Sequence, residues 1–582
     1  MKTAVMANFR TVKSLMFCGV AALMCIFWLD SAVAGEQVHT IPGLSREEAL
    51  RQGETIYRKG ELPSGKPLMA LVQGDTTVEG TMFSCMSCHM RGGFGSFEGQ
   101  VLTTPTTGKY LYQPVYALRQ LTAAEKETIP QYFRPQFEAP PKRPAYTDET
   151  LAVALRDGID PAGRIFNYVM PRYLLSDRDM AILILYLKAL SFEPSPGVTE
   201  STVRFATIVT DDVSPEERDA LFTTLENYAR GRNIMADASE TRSKRGFSAM
   251  LMDFANRRKV SIARWELKGP PATWHRQLEE YYQREPVFAF LGGMTHGDWK
   301  PVHEFSEQRH IPCIFPITDF PVISDTDWYT LYFSKGLYQE GEAVARFLER
   351  SSNLPQDKSI VQIFRDSREG RMLSEGFQKT WRDLGHQPPI NRMLREGETI
   401  TNEFLQQITD TNKPYVFLFW LGSESFPALE AIAASANKPE AVYVSASQLN
   451  HSLGSLPEKA REFTYITYPY AFQPEMGLPS ADPAKGPRNK KGRAGANPKI
   501  SSATWSLWLV LNDALMMLGT NFYRDNFLDK FDMLPDKSPP YTDYERLSFG
   551  PGQRYASKGC YIVQLTGGAN PRFIRKSDWV IH

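Results

Sequence analysis

The chain has 582 residues, of which 42% are hydrophobic and 23% are charged, which is typical of a globular protein with roughly two to four domains. Its 66 Lys and Arg residues balance 66 Asp and Glu residues, so the net charge is +0. A neutral chain has no overall field that would attract nucleic acid or an anionic membrane, and we expect neither as a partner.

The first 34 residues have the pattern of an export signal. Basic residues are followed by an apolar run from Leu15 to Leu29 and by the small residues of 31–34, which predicts cleavage after Ala34. A retained membrane anchor is the alternative, but the apolar run is short for a bilayer span. Because the sequence contains no other long apolar segment, we expect a periplasmic protein with no transmembrane segment after signal cleavage.

A five-residue motif, Cys-Met-Ser-Cys-His at 85–89, carries the strongest chemical signal in the chain. Two cysteines separated by two residues and followed directly by histidine form the attachment signature of c-type haem. Cys85 and Cys88 would each bond one vinyl group of the porphyrin, and His89 would be the proximal ligand of the iron. A zinc half-site or a disulfide is the alternative, although zinc needs a fourth ligand. We expect one covalent haem c.

Two helices are predicted to flank this motif. Ser45 begins a helix that runs past Gly53 and Tyr57, and a second helix spans 176–190 with Met180 on its buried face. Gly53 would let the two helices cross closely. A helix pair of this kind beside a haem motif resembles the class I cytochrome c fold, which implies an all-α cytochrome c domain over 35–190.

The same resemblance suggests a second iron ligand. A glycine-bearing loop at 157–163 precedes Met170-Pro171 and the final helix, and in the family a Met-Pro step at this place supplies the sixth haem ligand. The resemblance therefore implies Met170 as distal ligand, and a thioether opposite histidine suits electron transfer. The rivals Met82, Met86, Met90 and Met180 fit this role less well. A long insertion at 100–148 departs from compact members of the family.

The pattern changes after a Pro- and Gly-containing linker at 191–202. From 203 to 582, short β-branched or aromatic runs alternate with helical segments, which predicts parallel βαβ units in two lobes. The predicted strands are 203–209, 260–263, 287–291, 311–315, 329–333, 359–364, 415–420, 441–445 and 463–467. Cys313 and Cys560 are expected to be two separate thiols, although an oxidising compartment permits a disulfide between them.

This region resembles the type I periplasmic binding proteins, in particular the branched-chain amino-acid and amide receptors. The resemblance is carried by the segments 288–295 and 311–316, by a helix after 336–341, and by 369–371 before a helix. It implies a two-lobed α/β domain whose ligand binds between the lobes, at the carboxyl ends of the strands. The fold class expected for the whole chain is therefore multidomain.

The resemblance also implies four residues of a cleft for a small polar ligand. Thr295 and Thr318 would line one lobe, and Asp366 and Glu424 the other. Hydroxyl groups would hold a ligand carboxylate and Glu424 a ligand ammonium. His296 stands where a small hydroxyl residue is usual, so a different ligand, or none, is an alternative.

Three functions are compatible with these patterns. The first is an exported one-electron carrier that serves a periplasmic redox partner, for example a dehydrogenase, and that has a solute-binding or docking domain. The second is a solute receptor with a haem redox sensor. The third is a monohaem peroxidase or oxidase subunit, which would need an open sixth position on the iron. We expect a carrier rather than a catalyst.

Overall fold

A computed structural model describes residues 41–73, 76–98, 101–116, 142–242, 258–350, 359–412, 414–472, 498–534, 544–550 and 552–581. The predicted signal peptide and its cleavage site after Ala34 lie outside these residues. Among the residues that the structure describes, no helix is long and apolar enough to cross a membrane.

Helices and strands alternate along most of the chain. The described strands are β1 (Met69–Val72), β2 (Thr76–Glu79), β3 (Phe97–Glu98), β4 (Val101–Leu102), β5 (Arg172–Tyr173), β6 (Thr202–Thr210), β7 (Lys259–Leu267), β8 (Ala289–Leu291), β9 (Cys313–Ile314), β10 (Thr330–Leu331), β11 (Ser359–Arg365), β12 (Ile390–Leu394), β13 (Pro414–Trp420), β14 (Ala441–Ser445), β15 (Thr464–Tyr468), β16 (Gly559–Leu565), β17 (Phe573–Arg575) and β18 (Val580–Ile581). The described α-helices are α1 (Arg46–Lys59), α2 (Cys85–His89), α3 (Gly108–Leu111), α4 (Asp148–Arg156), α5 (Asp177–Ala189), α6 (Pro215–Arg242), α7 (Trp274–Arg284), α8 (Lys300–Arg309), α9 (Leu337–Arg350), α10 (Arg368–Asp383), α11 (Asn402–Asn412), α12 (Phe426–Ala434), α13 (Ala446–Leu449), α14 (Pro498–Leu518) and α15 (Arg524–Asp532).

The chain divides into two compact units. The first unit is Met1–Ser84 with Tyr146–Ala189, and the second is Cys85–Ala145 with Leu190–His582. The haem motif and the segment after it therefore group with the carboxyl-terminal part of the chain. This division differs from the predicted boundaries of 35–190, 191–202 and 203–582, which stay a prediction.

The first unit contains the predicted helix pair. Ser45 caps α1 by accepting a hydrogen bond from the backbone N–H of Glu48 at 3.2 Å. A Cβ atom on Gly53 would lie 2.5 Å from Cβ of Tyr186 on α5, so only glycine permits this crossing. The predicted close approach is confirmed. The expectation of an all-α region is wrong, because an antiparallel sheet of order β2-β1-β5 lies in the same unit.

The first lobe of the second unit is built on a parallel sheet of order β10-β9-β8-β6-β7. Alternate residues of β6 point into two different cores, as the twofold period of a strand requires. Phe205 and Val209 pack in a core that includes residues of α6, α14 and α15, and Ile208 packs on the other side with Trp265 and Trp299. Both faces of the sheet are therefore buried.

The second lobe contains an eight-stranded sheet of order β12-β11-β13-β14-β15-β16-β17, with β18 also paired to β16. The strands from β12 to β15 are parallel, whereas β16, β17 and β18 are antiparallel. The sequence predicted the parallel strands of this lobe except β12, and it missed the antiparallel ones. Alternation with helices predicts parallel pairs only, whereas β16 pairs antiparallel with β15, whose residue Tyr468 faces Tyr561 of β16.

Two connections pass side by side between the lobes. Tyr332 follows β10 of the first lobe, and the segment 555–557 precedes β16 of the second. Tyr332 donates its N–H to the carbonyl of Arg554 at 2.8 Å and accepts one from Ala556 at 3.0 Å. Ser557 donates its N–H to the carbonyl of Phe333 at 2.6 Å. These hydrogen bonds join the two connections into one short ribbon.

The two cysteines that the structure describes outside the 85–89 motif lie in different lobes. Cys313 is in β9 and Cys560 is in β16, and both are fully buried free thiols. The expectation of two separate thiols is confirmed. Burial raises the pKa of each thiol, which keeps both protonated and unreactive.

A buried acid in the second lobe gives a testable pH dependence. Glu340 on α9 is fully buried, accepts a hydrogen bond from the Thr467 hydroxyl at 2.6 Å, and has a pKa that burial raises to about 7. Because this pKa exceeds the ordinary value of 4.5, the folded state holds a proton that the unfolded state has lost between about pH 4.5 and 7. The contribution of Glu340 to the free energy of unfolding therefore falls as pH rises through this range.

Glu340→Gln should be the more stable protein at pH 8, by about 1–3 kcal/mol, because the amide carries no charge to bury. Urea unfolding at pH 5 and pH 8 measures this difference. Burial also raises the pKa of Asp529 to about 7, so the wild type has a second source of pH dependence. This contribution is present in both proteins and cancels when the variant is compared with the wild type. Glu375→Gln, at an exposed position of α10, is the matched control and should leave the pH dependence unchanged. If the stability of Glu340→Gln and that of the wild type had the same pH dependence, the raised pKa of Glu340 would be contradicted.

Candidate functional site

The Cys-x-x-Cys-His motif, predicted to attach haem, forms a helix of its own, α2 (Cys85–His89). Residues three and four positions apart share one face of a helix, so Cys85, Cys88 and His89 are neighbours. Cys85 and His89 are buried, at 7% and 8% exposure, and Cys88 is exposed. The three predicted attachment residues are thus brought together on one short element.

The imidazole of His89 is buried and is hydrogen-bonded through one of its two ring nitrogens. Its Nδ1 lies 2.8 Å from the carbonyl oxygen of Thr104, to which it donates. Its Nε2 is buried and has no hydrogen-bond partner among the described residues. Burial lowers the pKa of His89 below its usual value, which favours the neutral ring. A neutral ring that donates from Nδ1 presents a lone pair at Nε2, as a histidine ligand of haem iron does.

The loop after α2 holds this histidine in place. The Ser96 hydroxyl donates to the carbonyl of Cys88 at 2.9 Å, and the N–H of Gly95 donates to the carbonyl of His89 at 3.0 Å. Gly95 has a φ of 76°, and a Cβ atom there would collide with the carbonyl of Thr103. The sequence did not reveal the role of Thr104, because this contact spans 15 residues of irregular chain.

The described part of the 100–148 insertion is organised by one arginine. The guanidinium of Arg143 is 7% exposed and donates to the carbonyl oxygens of Tyr110, Leu111, Gln113 and Pro144, at 2.8–3.1 Å. A buried guanidinium with several carbonyl acceptors fixes the loop around it. Residues 117–141 of the insertion lie outside the described residues.

The Met170 loop belongs to the first unit. Met170 is half-buried, and its N–H donates to the carbonyl of Asn167 at 3.0 Å in a turn. The preceding residues expose large apolar side chains, with Ile165 at 79% and Tyr168 at 64%. Met180, by contrast, is 3% exposed on α5, in agreement with its predicted core position.

The first-lobe side of the cleft is formed where β6, β8 and β9 end. Thr295 is 3% exposed, and its hydroxyl is 3.3 Å from Oδ2 of Asp212, an acid that the sequence analysis missed. Asp212 also accepts the N–H of His296 at 3.1 Å. Thr318 accepts the N–H of Phe320 at 3.1 Å and lies half-buried at the end of the neighbouring strand. The Thr295 hydroxyl thus faces a carboxylate.

The second-lobe side of the cleft carries acids that are paired with arginines. Glu424 is bound by both nitrogens of the Arg365 fork, with Nε to Oε1 at 3.2 Å. Asp366 accepts a hydrogen bond from Nε of Arg371 at 2.7 Å. The guanidinium of Arg365 also donates to the carbonyl of Glu398 at 2.8 Å. Asp366 directly follows β11 and Glu424 lies four residues after β13, and each has a cationic partner.

One arginine bridges the two lobes. Arg368, at the start of α10, donates to Asp298 of the first lobe at 2.8 Å. Its guanidinium also lies 4.0 Å from the ring centroid of Phe320, which packs against a core of the second lobe. Trp299, which follows the His296 loop, is fully buried beneath Gly293 and belongs to the core. Arg368 gave no signal in the sequence because its partner is 70 residues away.

Comparison with known proteins identifies the carboxyl-terminal region. The family model described as periplasmic binding protein matches residues 235–569, which is more than half of the chain. The chain belongs to this family. The predicted two-lobed α/β fold is therefore confirmed for the matched region, and the comparison leaves the cytochrome c prediction for 35–190 untested. No curated protein matches the chain.

Solved structures of the same kind cover a similar part of the chain. A putative branched-chain amino acid ABC transporter protein from Rhodospirillum rubrum is 13% identical, covers 64% of this chain and 100% of its own, and has a TM-score of 0.41. One from Thermus thermophilus with bound valine is 12% identical, with 66% and 97% coverage and a TM-score of 0.41. An ABC transporter substrate-binding protein from Sphaerobacter thermophilus is 12% identical, with 66% and 98% coverage and a TM-score of 0.45.

Within the described ranges, no group of three or more His, Cys, Asp and Glu side chains is arranged to hold a metal ion. A c-type haem needs only one such ligand from its attachment segment, since its iron is held by the porphyrin. The residues of α2 fit this group through the Nε2 atom of His89.

Proposed function

We propose that the chain is an exported monohaem c-type cytochrome joined to a periplasmic binding module. The observation that carries the proposal is the state of His89, whose Nδ1 is bound to Thr104 and whose buried Nε2 has no partner among the described residues. Cys85 and Cys88 would attach the haem and His89 would bind its iron, while Met170 stays the predicted second ligand. Membership of the periplasmic binding protein family supports export, and cleavage after Ala34 stays a prediction.

A haem bound at this segment supplies one-electron chemistry between ferrous and ferric iron. The residues of the chain contribute its position and surroundings. Thr104 fixes the orientation of the His89 ring, and Gly95 permits the tight loop that brings Thr104 to it. A periplasmic redox partner, for example a dehydrogenase, would accept or supply the electron.

The binding module would take a small polar ligand between its lobes. The contact between Thr295 and Asp212 places a negative charge where a ligand carboxylate was expected, so a carboxylate there would be repelled. We infer the opposite orientation. Asp212 would take a cationic group of the ligand, and the arginines of the second lobe, chiefly Arg368, would take an anionic group.

A thermal-shift screen of the mature holoprotein tests this site. Amino acids, amides and short hydroxy acids are the probes, and a ligand at 100 times its dissociation constant should stabilise the fold by about 2.7 kcal/mol. Asp212→Asn should remove the shift produced by a zwitterionic amino acid, because the cationic partner is lost. Glu424→Gln should keep it, since Glu424 is already paired with Arg365.

If Glu424→Gln removed the shift and Asp212→Asn kept it, the first assignment would be restored, in which Glu424 holds an ammonium group. The haem spectrum of both variants should match that of the wild type, because neither residue contacts the α2 segment. A screen in which no probe raises the melting temperature would contradict ligand binding and leave the module as a docking surface.

A solute receptor with a haem redox sensor is the second candidate function, and the family match supports its receptor part. The two candidate functions predict different measurements. A carrier should exchange electrons rapidly with periplasmic partners, whereas a sensor should show a ligand affinity that depends on the oxidation state of the haem.

A further inference from the structure

The loop that follows the haem motif is seated on helix α15 of the first lobe. The carboxylate of Asp529, which is 1% exposed, accepts the backbone N–H of Arg91 at 3.2 Å and that of Gly92 at 2.7 Å. A Cβ atom on Gly92 would lie 2.8 Å from the backbone nitrogen of Asn526, so the loop touches the helix backbone itself. The chain directly after His89 is thus held by a buried acid of the binding module.

Two arginines contact the ring of one tryptophan close to this part of α15. The guanidinium of Arg91 lies 4.7 Å from the ring centroid of Trp328, and that of Arg554 lies 3.9 Å from the same ring. Each cation also has a carboxylate on α15, since Arg91 pairs with Asp525 at 3.3 Å and Arg554 with Asp532 at 3.1 Å. These acids offset the repulsion between the two guanidinium groups.

Arg554 depends strongly on this arrangement. It is 5% exposed, and its Nε and Nη1 atoms have no hydrogen-bond partner among the described residues. A buried guanidinium with two unsatisfied nitrogens is costly unless an aromatic face and a paired acid compensate it. Trp328 and Asp532 are those groups, so a movement of Trp328 would remove part of the stabilisation of the Arg554 guanidinium.

Both residues stand at the start of the interlobe connections. Trp328 lies two residues before β10, which leads through Tyr332 and Phe333 to the second lobe. Arg554 lies directly before the 555–557 segment that leads to β16, and its own carbonyl accepts the N–H of Tyr332 at 2.8 Å. Rotation of one lobe against the other is absorbed by backbone changes in such connections.

We propose that the stack of Arg91, Trp328 and Arg554 couples the haem-bearing segment to closure of the two lobes. This inference rests on the haem attachment proposed above. Ferric iron carries one more positive charge than ferrous iron, and Arg91 is a cation two residues from His89. The oxidation state therefore changes the energy of the stack, and the stack changes the balance between open and closed lobes. Coupling of this kind is reciprocal, so lobe closure also shifts the haem reduction potential.

Hydrogen exchange of the full-length holoprotein tests the coupling without a known ligand. The protein is held ferric with ferricyanide or ferrous with ascorbate, and exchange is followed in peptides that span 328–336 and 552–558. We expect at least a threefold difference in exchange rate between the two states in both peptides. Trp328→Leu should remove the difference while the covalent haem is retained.

Arg91→Gln serves as a second variant, because it removes the cation and leaves the tryptophan in the core; it should give the same loss. Trp505→Leu is the matched control, since Trp505 is a 44% exposed tryptophan of α14 that does not touch Arg91. It should keep the redox-dependent exchange. A haem-bearing wild type whose exchange is the same in both states would overturn the coupling and leave haem attachment intact. A protein without covalent haem would overturn both.

Discussion

Replacement of both Cys85 and Cys88 by alanine is expected to abolish covalent haem completely. Each thiol forms one of the two thioether bonds, and the described chain places both on the helix that carries His89. A haem-stained denaturing gel of the exported protein measures this result. The wild type should show one haem for each chain that resists extraction with acidified acetone, and the double variant should show none.

The matched control is Cys313→Ala, which removes a buried thiol of β9 outside the motif. It should keep the full haem stain and lose some stability through a small cavity. A wild-type haem that acidified acetone extracts freely would contradict the attachment, as would a double variant that keeps its stain. In either case the zinc or disulfide interpretation of the motif would need to be tested next.

Met170→Ala is expected to change the iron ligation while the covalent bonds survive. Loss of the thioether should leave the iron five-coordinate or bound by water, so the ferrous protein should bind carbon monoxide. The reduction potential should also fall, because a thioether ligand favours ferrous iron. Visible spectra of both oxidation states, a carbon monoxide titration and a redox titration measure these effects.

Met180→Ala is the matched control for that experiment. Met180 is 3% exposed in the core of the first unit, so its truncation should cost about 2–5 kcal/mol of stability and keep the iron spectrum. If Met170→Ala kept a low-spin spectrum and Met180→Ala lost it, the ligand would lie on α5 and the predicted assignment would be wrong.

The strands of the binding module show which strands a local sequence pattern can predict and which it misses. The run 203–209 predicted β6, which spans Thr202–Thr210, because alternate side chains must enter two cores and must therefore be apolar on both faces. The strand β16 has an equally apolar sequence but was missed. Its role depends on an antiparallel partner, β15, that lies far away in the chain, and no local period encodes that pairing.

The chemistry of the predicted cleft residues also depends on partners that are distant in sequence. The resemblance assigned Thr295 and Glu424 to the cleft, and that assignment stays a prediction; in the structure each side chain has a partner that changes its chemistry. Asp212 is 83 residues from Thr295, and Arg365 is 59 residues from Glu424. The charge that a ligand would meet depends on these partners, which only the packing of neighbouring strands brings together.

The sequence alone determined the features that a few consecutive residues encode. These are the Cys-x-x-Cys-His motif, the capped helix at Ser45, the close helix crossing at Gly53 and the alternating strands and helices of a two-lobed module. Only the tertiary structure decided that the haem motif groups with that module, that Thr104 orients His89, and that Asp529 seats the loop after it. The physical reason is that hydrogen bonds and charge pairs act over a few ångströms in space, whereas sequence patterns record only neighbours along the chain.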